Sequence, residues 1–440
     1  MWIEYNRFAL SDGGRYALNV KNDGALIATT TKNCRVEKGV IRTGVGADYI
    51  RSPQGKTFRV PSTAKAVVTL RGDVTQDGVD VECAYVSSDG YLYRYSKADS
   101  AFVKVNTAAI GFVELVKDSG DSLGNRYFAI CKNGFCLCDR NGKVYERVVS
   151  INGTGCVFNN RFFYAAGNAV CYSDVDGYTS NNESLYGAGK IELGGDGGIQ
   201  KLIAYNDCVL VFMPDGIWEF HAKGAADEFF VKRIEYYGDK IVGPSVARCG
   251  NAILFVTSTG DLFRLQGNSC QKIAENIPEK FYSGGVSAAG NGALYFLSAS
   301  DGKVLVADSN GELYFTSFNF YAVTPCDGRA MGVYVGFLSE IHEKYALSYE
   351  HTCAFRVENW LAKENAERVL EKIRLYGSGE AMVVVQHGEF SCAHTVQLKD
   401  VGVEIPVGVR GKCFHIELKL YQRTKVWKIE ALCRDLGGKK

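Results

Sequence analysis

A hairpin pattern that repeats along the chain limits its fold more than any other feature of the sequence. In each copy an apolar run leads into a tight glycine turn, and a run of alternating apolar and polar residues leaves it. The turn glycines are spaced by 33 to 49 residues, which is close to the period of about 40 to 50 residues in propeller blades. They are Gly90, Gly134, Gly167, Gly216, Gly260 and Gly302, and a weaker seventh copy occupies residues 331–350.

The residues within each copy agree with a half-buried hairpin. Asp-Gly or Asn-Gly supplies the positive φ angles that a two-residue turn requires. The incoming strand is apolar throughout, as in "CVLVFM", which is typical of a strand covered on both faces. In the outgoing strand "GIWEFH", Trp218 and Phe220 share one face while Glu219 and His221 share the other. Residues 198–205 and 243–249 are predicted inner strands, and residues 229–236 are a predicted outer strand.

A unit of this size cannot bury both faces of its sheet alone, and stacking such units around an axis solves the problem. We therefore predict an all-β fold with a β-propeller of six or seven blades over residues 61–356. Residues 1–60 form a strand-rich segment that packs on the propeller or closes it. Residues 359–369 are predicted to form a short helix. Alternating strands follow it, so residues 357–440 are expected to be a small β-sandwich-like domain.

Composition narrows the classes of partner. The net charge of +1 over 440 residues is too small to produce an electrostatic field that attracts nucleic acid or a membrane surface. The fifteen cysteines are odd in number, scattered, and often placed inside strand-like runs. They are expected to be free apolar thiols in a reducing compartment. The sequence shows no signal peptide and no apolar stretch of membrane-spanning length, so no membrane partner is expected.

Two groups of residues invite a metal interpretation. Asp174, Asp176 and Gly177 match part of a calcium loop, and Glu183 lies six residues after the glycine, but Tyr172 stands at the first acidic position. Three cysteines, Cys131, Cys136 and Cys138, cluster on one predicted hairpin, but the sequence offers no evident fourth ligand for zinc. We therefore favour the interpretation that they are thiols of the hydrophobic core. No metal site is predicted.

Enzyme motifs are also missing. The sequence has no G-x-S-x-G elbow, no H-E-x-x-H and no P-loop. The Asp-box of sialidase propellers fails because Val175 occupies its aspartate position and the glycine falls one place early. We therefore predict no catalytic residue, no cofactor and no enzymatic activity.

Residues 160–275 resemble a known family, the β-propeller proteins of tailed bacteriophages, which are tail nozzle or DNA-stabilisation proteins and related tail components. The resemblance rests on "NRFFYAAGNAVCYSDVDGYTSN", "GDGGIQKLIAYNDCVLVFMPDGIWEF" and "YYGDKIVGPSVARCGNAILFVTSTGDLFRL", and it extends to residues 33–46 and 406–420. The residues that match the family pattern are Tyr172, Ser173, Asp174, Trp218, Gly243, Pro244, Ser245 and Gly260.

This resemblance implies a structural protein of a phage or prophage virion. Its propeller would be an assembly and docking platform in the tail or head–tail channel, assembled in the bacterial host cytoplasm. The implied partners are other tail or head–tail proteins, further copies in a homo-oligomeric ring, and DNA in transient contact as it passes through a channel. No catalytic residue comes with the family. The alternative is a carbohydrate-binding or glycan-cleaving propeller used in receptor recognition, because tyrosine-rich strands can stack on sugars. A WD-type scaffold is a weaker third hypothesis, since the Gly-His and Trp-Asp signatures are missing.

Overall fold

The computed structural model describes most of the chain, with gaps mainly in its N-terminal third. The described residues are 2–5, 7–10, 25–28, 30–37, 39–49, 59–60, 66–71, 82–86, 89–96, 101–105, 111–121, 126–139, 142–148, 151–178, 187–316, 319–326, 328–334, 336–342, 353–361, 367–421 and 423–436. Glu183 of the calcium-loop hypothesis lies outside them. Within this part of the chain, no helix is long and apolar enough to span a bilayer.

Seven short strands lie in the described part of the N-terminal segment. They are β1 (Trp2–Tyr5), β2 (Arg7–Leu10), β3 (Ala25–Ala28), β4 (Thr30–Lys32), β5 (Cys34–Glu37), β6 (Val40–Thr43) and β7 (Gly46–Tyr49).

Seven four-stranded antiparallel sheets make up the propeller within the described residues, and each is called a blade. Blade 1 contains β8 (Ala66–Arg71), β9 (Glu82–Val86), β10 (Leu92–Ser96) and β11 (Ala101–Lys104). Blade 2 contains β12 (Phe112–Lys117), β13 (Tyr127–Cys131), β14 (Gly134–Asp139) and β15 (Gly142–Val148). Blade 3 contains β16 (Gly155–Phe158), β17 (Arg161–Ala166), β18 (Ala169–Tyr172) and β19 (Gly189–Glu192). Blade 4 contains β20 (Lys201–Tyr205), β21 (Cys208–Met213), β22 (Gly216–His221) and β23 (Phe230–Ile234). Blade 5 contains β24 (Ala247–Cys249), β25 (Ala252–Val256), β26 (Leu262–Gln266) and β27 (Ser269–Ala274). Blade 6 contains β28 (Ser287–Gly290), β29 (Leu294–Ser298), β30 (Val304–Asp308) and β31 (Leu313–Phe315). Blade 7 contains β32 (Val323–Cys326), β33 (Arg329–Tyr334), β34 (Phe337–His342) and, as its outermost strand, β7.

The C-terminal strands are β35 (Cys353–Trp360), β36 (Glu367–His387), β37 (Phe390–Leu398), β38 (Val403–Gly411), β39 (Phe414–Leu420) and β40 (Lys425–Leu436). Three short 3-10 helices complete the described elements: Ala226–Glu228, Gly243–Ser245 and Glu279–Phe281.

Neighbouring blades share hydrophobic cores because their second strands are apolar on both faces. In β21, Val209 and Val211 pack with side chains of blade 3, while Leu210 and Phe212 pack with side chains of blade 5. Every residue of this strand is buried. The first strands of the blades line the centre of the ring, and β8 and β32 adjoin, so blade 1 meets blade 7. The prediction of an all-β propeller is confirmed, and seven sheets are present.

Aromatic contacts between blades reinforce these cores. Phe128 of blade 2 stacks on Phe162 of blade 3 with ring centroids 3.9 Å apart and an interplanar angle of 4°. Phe212 and Phe255 meet edge to face across blades 4 and 5 at 5.6 Å. Such pairs contribute about 0.5–1.5 kcal/mol beyond the burial of their area.

The C-terminal domain is a β-sandwich built around the 21-residue strand β36. Its first half pairs with β38 and β40, and its second half pairs with β37 and β39. The register changes at Tyr376/Gly377, and Gly379 has φ +92°, so the strand changes sheet at this point. The expected β-sandwich-like domain is therefore present.

The N-terminal segment belongs to both parts of the molecule. Strands β1 and β6 pair with β40, β5 pairs with β6, and β4 pairs with β35, so these strands extend the two sheets of the sandwich. Strand β7 instead completes blade 7. One hydrophobic core continues from blades 6 and 7 through Cys34, Val36 and Ile41 into the sandwich. The segment therefore joins the two domains.

The predicted helix over residues 359–369 is wrong at both of its ends, and residues 362–366 lie outside the described residues. Trp360 ends β35, where it lies opposite Phe414 and is 2% exposed, and Glu367 begins β36. The side chain of Trp360 is large and apolar, and its burial in the sandwich outweighs the helix propensity of the alanine, lysine and glutamate residues that follow it in the sequence.

Candidate functional site

The segments that lead into the inner strands of blades 3, 4 and 5 surround a depression at the rim of one face of the propeller. In a four-stranded meander, the start of the inner strand and the turn between the second and third strands lie at the same face. The depression has a volume of about 560 Å³. We call it the rim depression, and its lining residues are Asn152, Gly167, Gly197, Gly198, Ile199, Gln200, Ile241, Val242, Gly243 and Pro244.

Side-chain amides hold the walls of the rim depression together. Asn152 Nδ2 donates to the carbonyl oxygens of Gly167 and Ile199 at 2.8 Å each, and Asn152 Oδ1 accepts from the Gly167 N–H at 2.9 Å. Gln200 Oε1 accepts from the Gly243 N–H at 2.7 Å. These bonds connect blade 3 to blade 4 and blade 4 to blade 5. A Cβ at Gly243 would lie 2.4 Å from Gln200 Cβ, which explains the glycine at this position.

The rim depression is uncharged, because its ten lining residues include no acidic or basic side chain. Four glycines, four apolar residues and two amide side chains line it. The lining therefore offers hydrogen bonds to a neutral or extended surface, and its side chains offer no general acid or base.

The motif Gly243-Pro244-Ser245 forms a 3-10 turn that enters blade 5. Ser245 is fully buried; its Oγ donates to Val242 O at 2.6 Å and accepts from the Val256 N–H at 2.9 Å. The hydroxyl of Tyr295, in blade 6, donates to Ser245 O at 2.6 Å. Burial raises the pKa of Tyr295, so this hydroxyl keeps its proton. The motif therefore cross-links blades 5 and 6.

The motif Tyr172-Ser173-Asp174 lies at the opposite end of its blade. Tyr172 packs against Phe229 with ring centroids 5.1 Å apart. Ser173 Oγ accepts from the Phe162 N–H at 3.0 Å, and the buried Arg161 donates through Nη1 to Ser173 O at 2.7 Å. Asp174 Oδ1 accepts from the Val175 N–H at 2.8 Å. These contacts close a turn at the end of blade 3.

Trp218 and Gly260, the remaining residues singled out by the resemblance, are also packing positions. Trp218 is 6% exposed, and the guanidinium of Arg233 lies 5.2 Å from its ring. Gly260 has φ +83°, and a Cβ there would lie 2.7 Å from Ile277 O. Of the eight residues, the structure brings only Gly243 and Pro244 into the rim depression.

One charged pair between the inner strands of two blades was not anticipated from the sequence. Lys201 of blade 4 bonds the carboxylate of Glu114 of blade 2, and both side chains are about one-fifth exposed. The Cys156 thiol of blade 3 lies near this pair; burial, followed by the charge of Glu114, raises its pKa. Glu114 interrupts the apolar run of inner strand β12, and Lys201 begins the apolar inner strand β20, so both charges are visible in the sequence. Their pairing across 87 residues is visible only in the fold.

The cysteine cluster of blade 2 is buried and its thiols are free. Cys131 Sγ donates to Gly134 O at 3.1 Å, and burial raises the pKa of this thiol. Among the described residues, no three His, Cys, Asp or Glu side chains are placed to share a metal ion.

The chain is similar in fold to solved structures of propeller proteins. The chain is similar to BamB from Moraxella catarrhalis, with 11% identity, a TM-score of 0.42, and coverage of 75% of this chain and 97% of that one. It is also similar to the WD40 β-propeller domain of Doa1 (10% identity, TM-score 0.46, 65% and 96% coverage). A third similar structure is the β-propeller domain of Myceliophteria thermophila Cps50 (Swd1), with 10% identity, a TM-score of 0.45, and coverage of 65% of this chain and 96% of that one. No family model and no curated protein sequence matches the chain.

Proposed function

We propose that this chain is a structural protein of a phage or prophage virion, with its propeller as an assembly and docking platform in the tail or head–tail channel. The observation that carries the proposal is the construction of propeller and sandwich as one body. Strand β7 completes blade 7 while β5 and β6 of the same segment extend the sandwich, and a single core spans both. A platform that docks other proteins at fixed positions needs this coupling.

The residues that resemble the phage family support a scaffolding role. Ser245 cross-links blades, and Ser173 anchors a turn. Their side chains are engaged in the fold itself. We therefore propose that the chain has no catalytic function and that its activity is to present surfaces.

The rim depression is the surface that we assign to docking. Its uncharged lining, which combines two amides with four apolar residues, suits another tail or head–tail protein that offers apolar side chains beside backbone or amide groups. The net charge of the chain is only +1, so contact with DNA passing through a homo-oligomeric ring would be transient rather than tight.

No observation favours the carbohydrate-binding alternative. The aromatic face of Tyr91 is covered by Lys104 Nζ, 3.5 Å from the ring centroid, and Trp218 is buried against Arg233. Sugar binding remains an outcome that the test must be able to detect.

Particle assembly tests the proposal directly. Virions produced from a genome that carries an epitope-tagged copy should contain the protein in their tails, as shown by immunogold labelling. Particles from a deletion strain should lack a functional tail. Normal infectious particles from the deletion strain, together with no tag in purified virions, would overturn the proposal. A glycan array and a panel of chromogenic glycosides with the purified protein would reveal the alternative.

A further inference from the structure

Strand β37 is a free edge of the sandwich. It pairs with β36 along one side, and Gly388 and Glu389 form the two-residue turn between them. The closing pair is His387 and Phe390, so residues of even number direct their N–H and C=O groups toward β36. The outward groups belong to Ser391, Ala393, Thr395 and Gln397. Among the described residues, β37 pairs with no other strand.

The composition of this edge is unusual for an exposed strand. Its nine residues, "FSCAHTVQL", include no lysine, arginine, acidic residue or proline. The edge strand of the other sheet, β38, carries Pro406 and a positive-φ Gly408, which are common protections against edge-to-edge pairing. Strand β37 lacks these devices and therefore presents a template for another strand.

The strand is complementary to itself in one antiparallel register. With His394 on a two-fold axis, Phe390 lies opposite Leu398 of the second copy, and Cys392 lies opposite Val396 of the second copy. On the other face, small and polar side chains meet, because Ser391 faces Gln397 and Ala393 faces Thr395. Each outward N–H then meets an outward C=O, since the residues that face outward pair with one another.

Two charges select this register. Glu389 and Lys399 flank β37, both are exposed, and neither forms an ion pair within the described residues. In the register centred on His394, Glu389 of each copy lies opposite Lys399 of the other. A shift by two residues would place Glu389 opposite Gln397 or Val401 and lose both pairs.

We propose that β37 is a homodimerisation edge, at which a second copy of this chain adds its own β37 antiparallel and in the register centred on His394. The two five-stranded sheets then form one ten-stranded sheet across the two-fold axis. The contact is isologous and closes at two copies. It does not rest on the virion proposal, because it would hold for this chain in any biological setting.

Removing one outward donor tests the pairing. Thr395→Pro deletes an N–H that faces away from β36, so the fold tolerates it as an edge-strand proline. The dissociation constant of the dimer, measured by sedimentation equilibrium, should rise at least about tenfold. Thr395→Lys should weaken the dimer likewise, whereas Val401→Lys, at an 81% exposed turn residue, should not. A wild-type chain that stays monomeric up to about 100 µM, a weak-contact range, overturns the proposal.

A charge swap tests the register. Glu389→Lys or Lys399→Glu alone should weaken the dimer about three- to tenfold at low salt, because two like-charged pairs replace two opposite ones. The double variant Glu389→Lys/Lys399→Glu should return the dissociation constant to within about twofold of wild type. Additive weakening in the double variant would contradict this register.

A symmetric disulfide provides a third readout. Residue 394 is a non-hydrogen-bonded pair across the axis, where Cα atoms lie about 4.5 Å apart, within the disulfide range. His394→Cys should form covalent dimers in oxidised glutathione, and Val401→Cys should not. Wild-type Cys392 lies opposite Val396 and should not cross-link. Equal cross-linking of the two variants would overturn the proposed geometry.

Discussion

Asn33 is expected to be the residue whose loss most directly loosens the joint between propeller and sandwich. It is fully buried between β4 and β5 with φ +45°. Its N–H donates to Phe315 O of blade 6 at 3.1 Å, and its Nδ2 donates to Val45 O at 2.9 Å. Its own carbonyl accepts from the Gly44 N–H at 2.8 Å. Asn33 therefore links blade 6 to the chain that runs from β6 to β7.

The cost of Asn33→Ala has two parts. Loss of the Nδ2 donor removes the hydrogen bond to the buried carbonyl of Val45, which costs about 1–3 kcal/mol. Alanine also tolerates a positive φ poorly, at about 1–2 kcal/mol. Asn33→Gly loses the hydrogen bond but accepts the backbone angle. The free energy of unfolding should fall by about 2–5 kcal/mol for the alanine variant, and by about 1 kcal/mol less for the glycine variant.

Urea unfolding followed by tryptophan fluorescence provides the measurement. Trp360 reports on the sandwich and Trp218 on blade 4. Single-tryptophan backgrounds should show both transitions moving to lower urea in Asn33→Ala, because the joint couples the two domains. Equal destabilisation by alanine and glycine would refute the backbone contribution. An unchanged midpoint in both variants would refute the joint itself.

Three further outcomes are expected. Tyr295→Phe should lower the free energy of unfolding by about 1 kcal/mol, since it removes the hydrogen bond that the hydroxyl donates to Ser245 O. Because burial raises the pKa of Tyr295, the unfolded chain releases this proton above about pH 10 while the folded chain keeps it. Wild-type stability should therefore fall more steeply with alkaline pH than that of Tyr295→Phe, and parallel pH profiles in denaturant titrations would contradict this. Lys201→Met should lower the free energy of unfolding by about 1–3 kcal/mol, because it leaves Glu114 unpaired between the inner strands. Adding Glu114→Gln to the same chain should recover part of this loss. No recovery in thermal unfolding would argue against the pair. Ellman's reagent at pH 8 should label the thiols of the folded protein slowly and all fifteen thiols after unfolding. The reason is that burial raises the pKa of thiols, in the case of Cys249 to about 12. Rapid labelling of the folded protein would contradict this.

The hairpin units were predictable because their signals are local. A glycine turn, an apolar strand and an alternating strand act within about fifteen residues, a range over which the periodicity of side chains decides which face is buried. Residues 198–205 and 243–249 contain the inner strands β20 and β24, and residues 229–236 contain the outer strand β23, as predicted. The helix prediction at 359–369 failed because the partner of Trp360 is Phe414, which is distant in sequence.

The candidate site was predictable only as separate residues. Gly243, Pro244 and Ser245 were marked by a resemblance, but nothing local places Gly243 against Gln200 or Ser245 against Tyr295. The pairing of Lys201 with Glu114 depends on the ring bringing blade 4 toward blade 2. Contacts of this kind follow from how the blades close, which no short pattern encodes.

By itself, the sequence determined that this chain forms repeated antiparallel hairpins that must bury both faces, because period-two patterning and turn glycines act within each unit. Only the tertiary structure decided that seven sheets close the ring, that β7 comes from the N-terminal segment, and that the same segment extends the sandwich. The reason is physical. A strand's hydrogen-bonding edge accepts any strand of suitable shape, so the choice of partner is made by the packing of whole layers rather than by the strand's own residues.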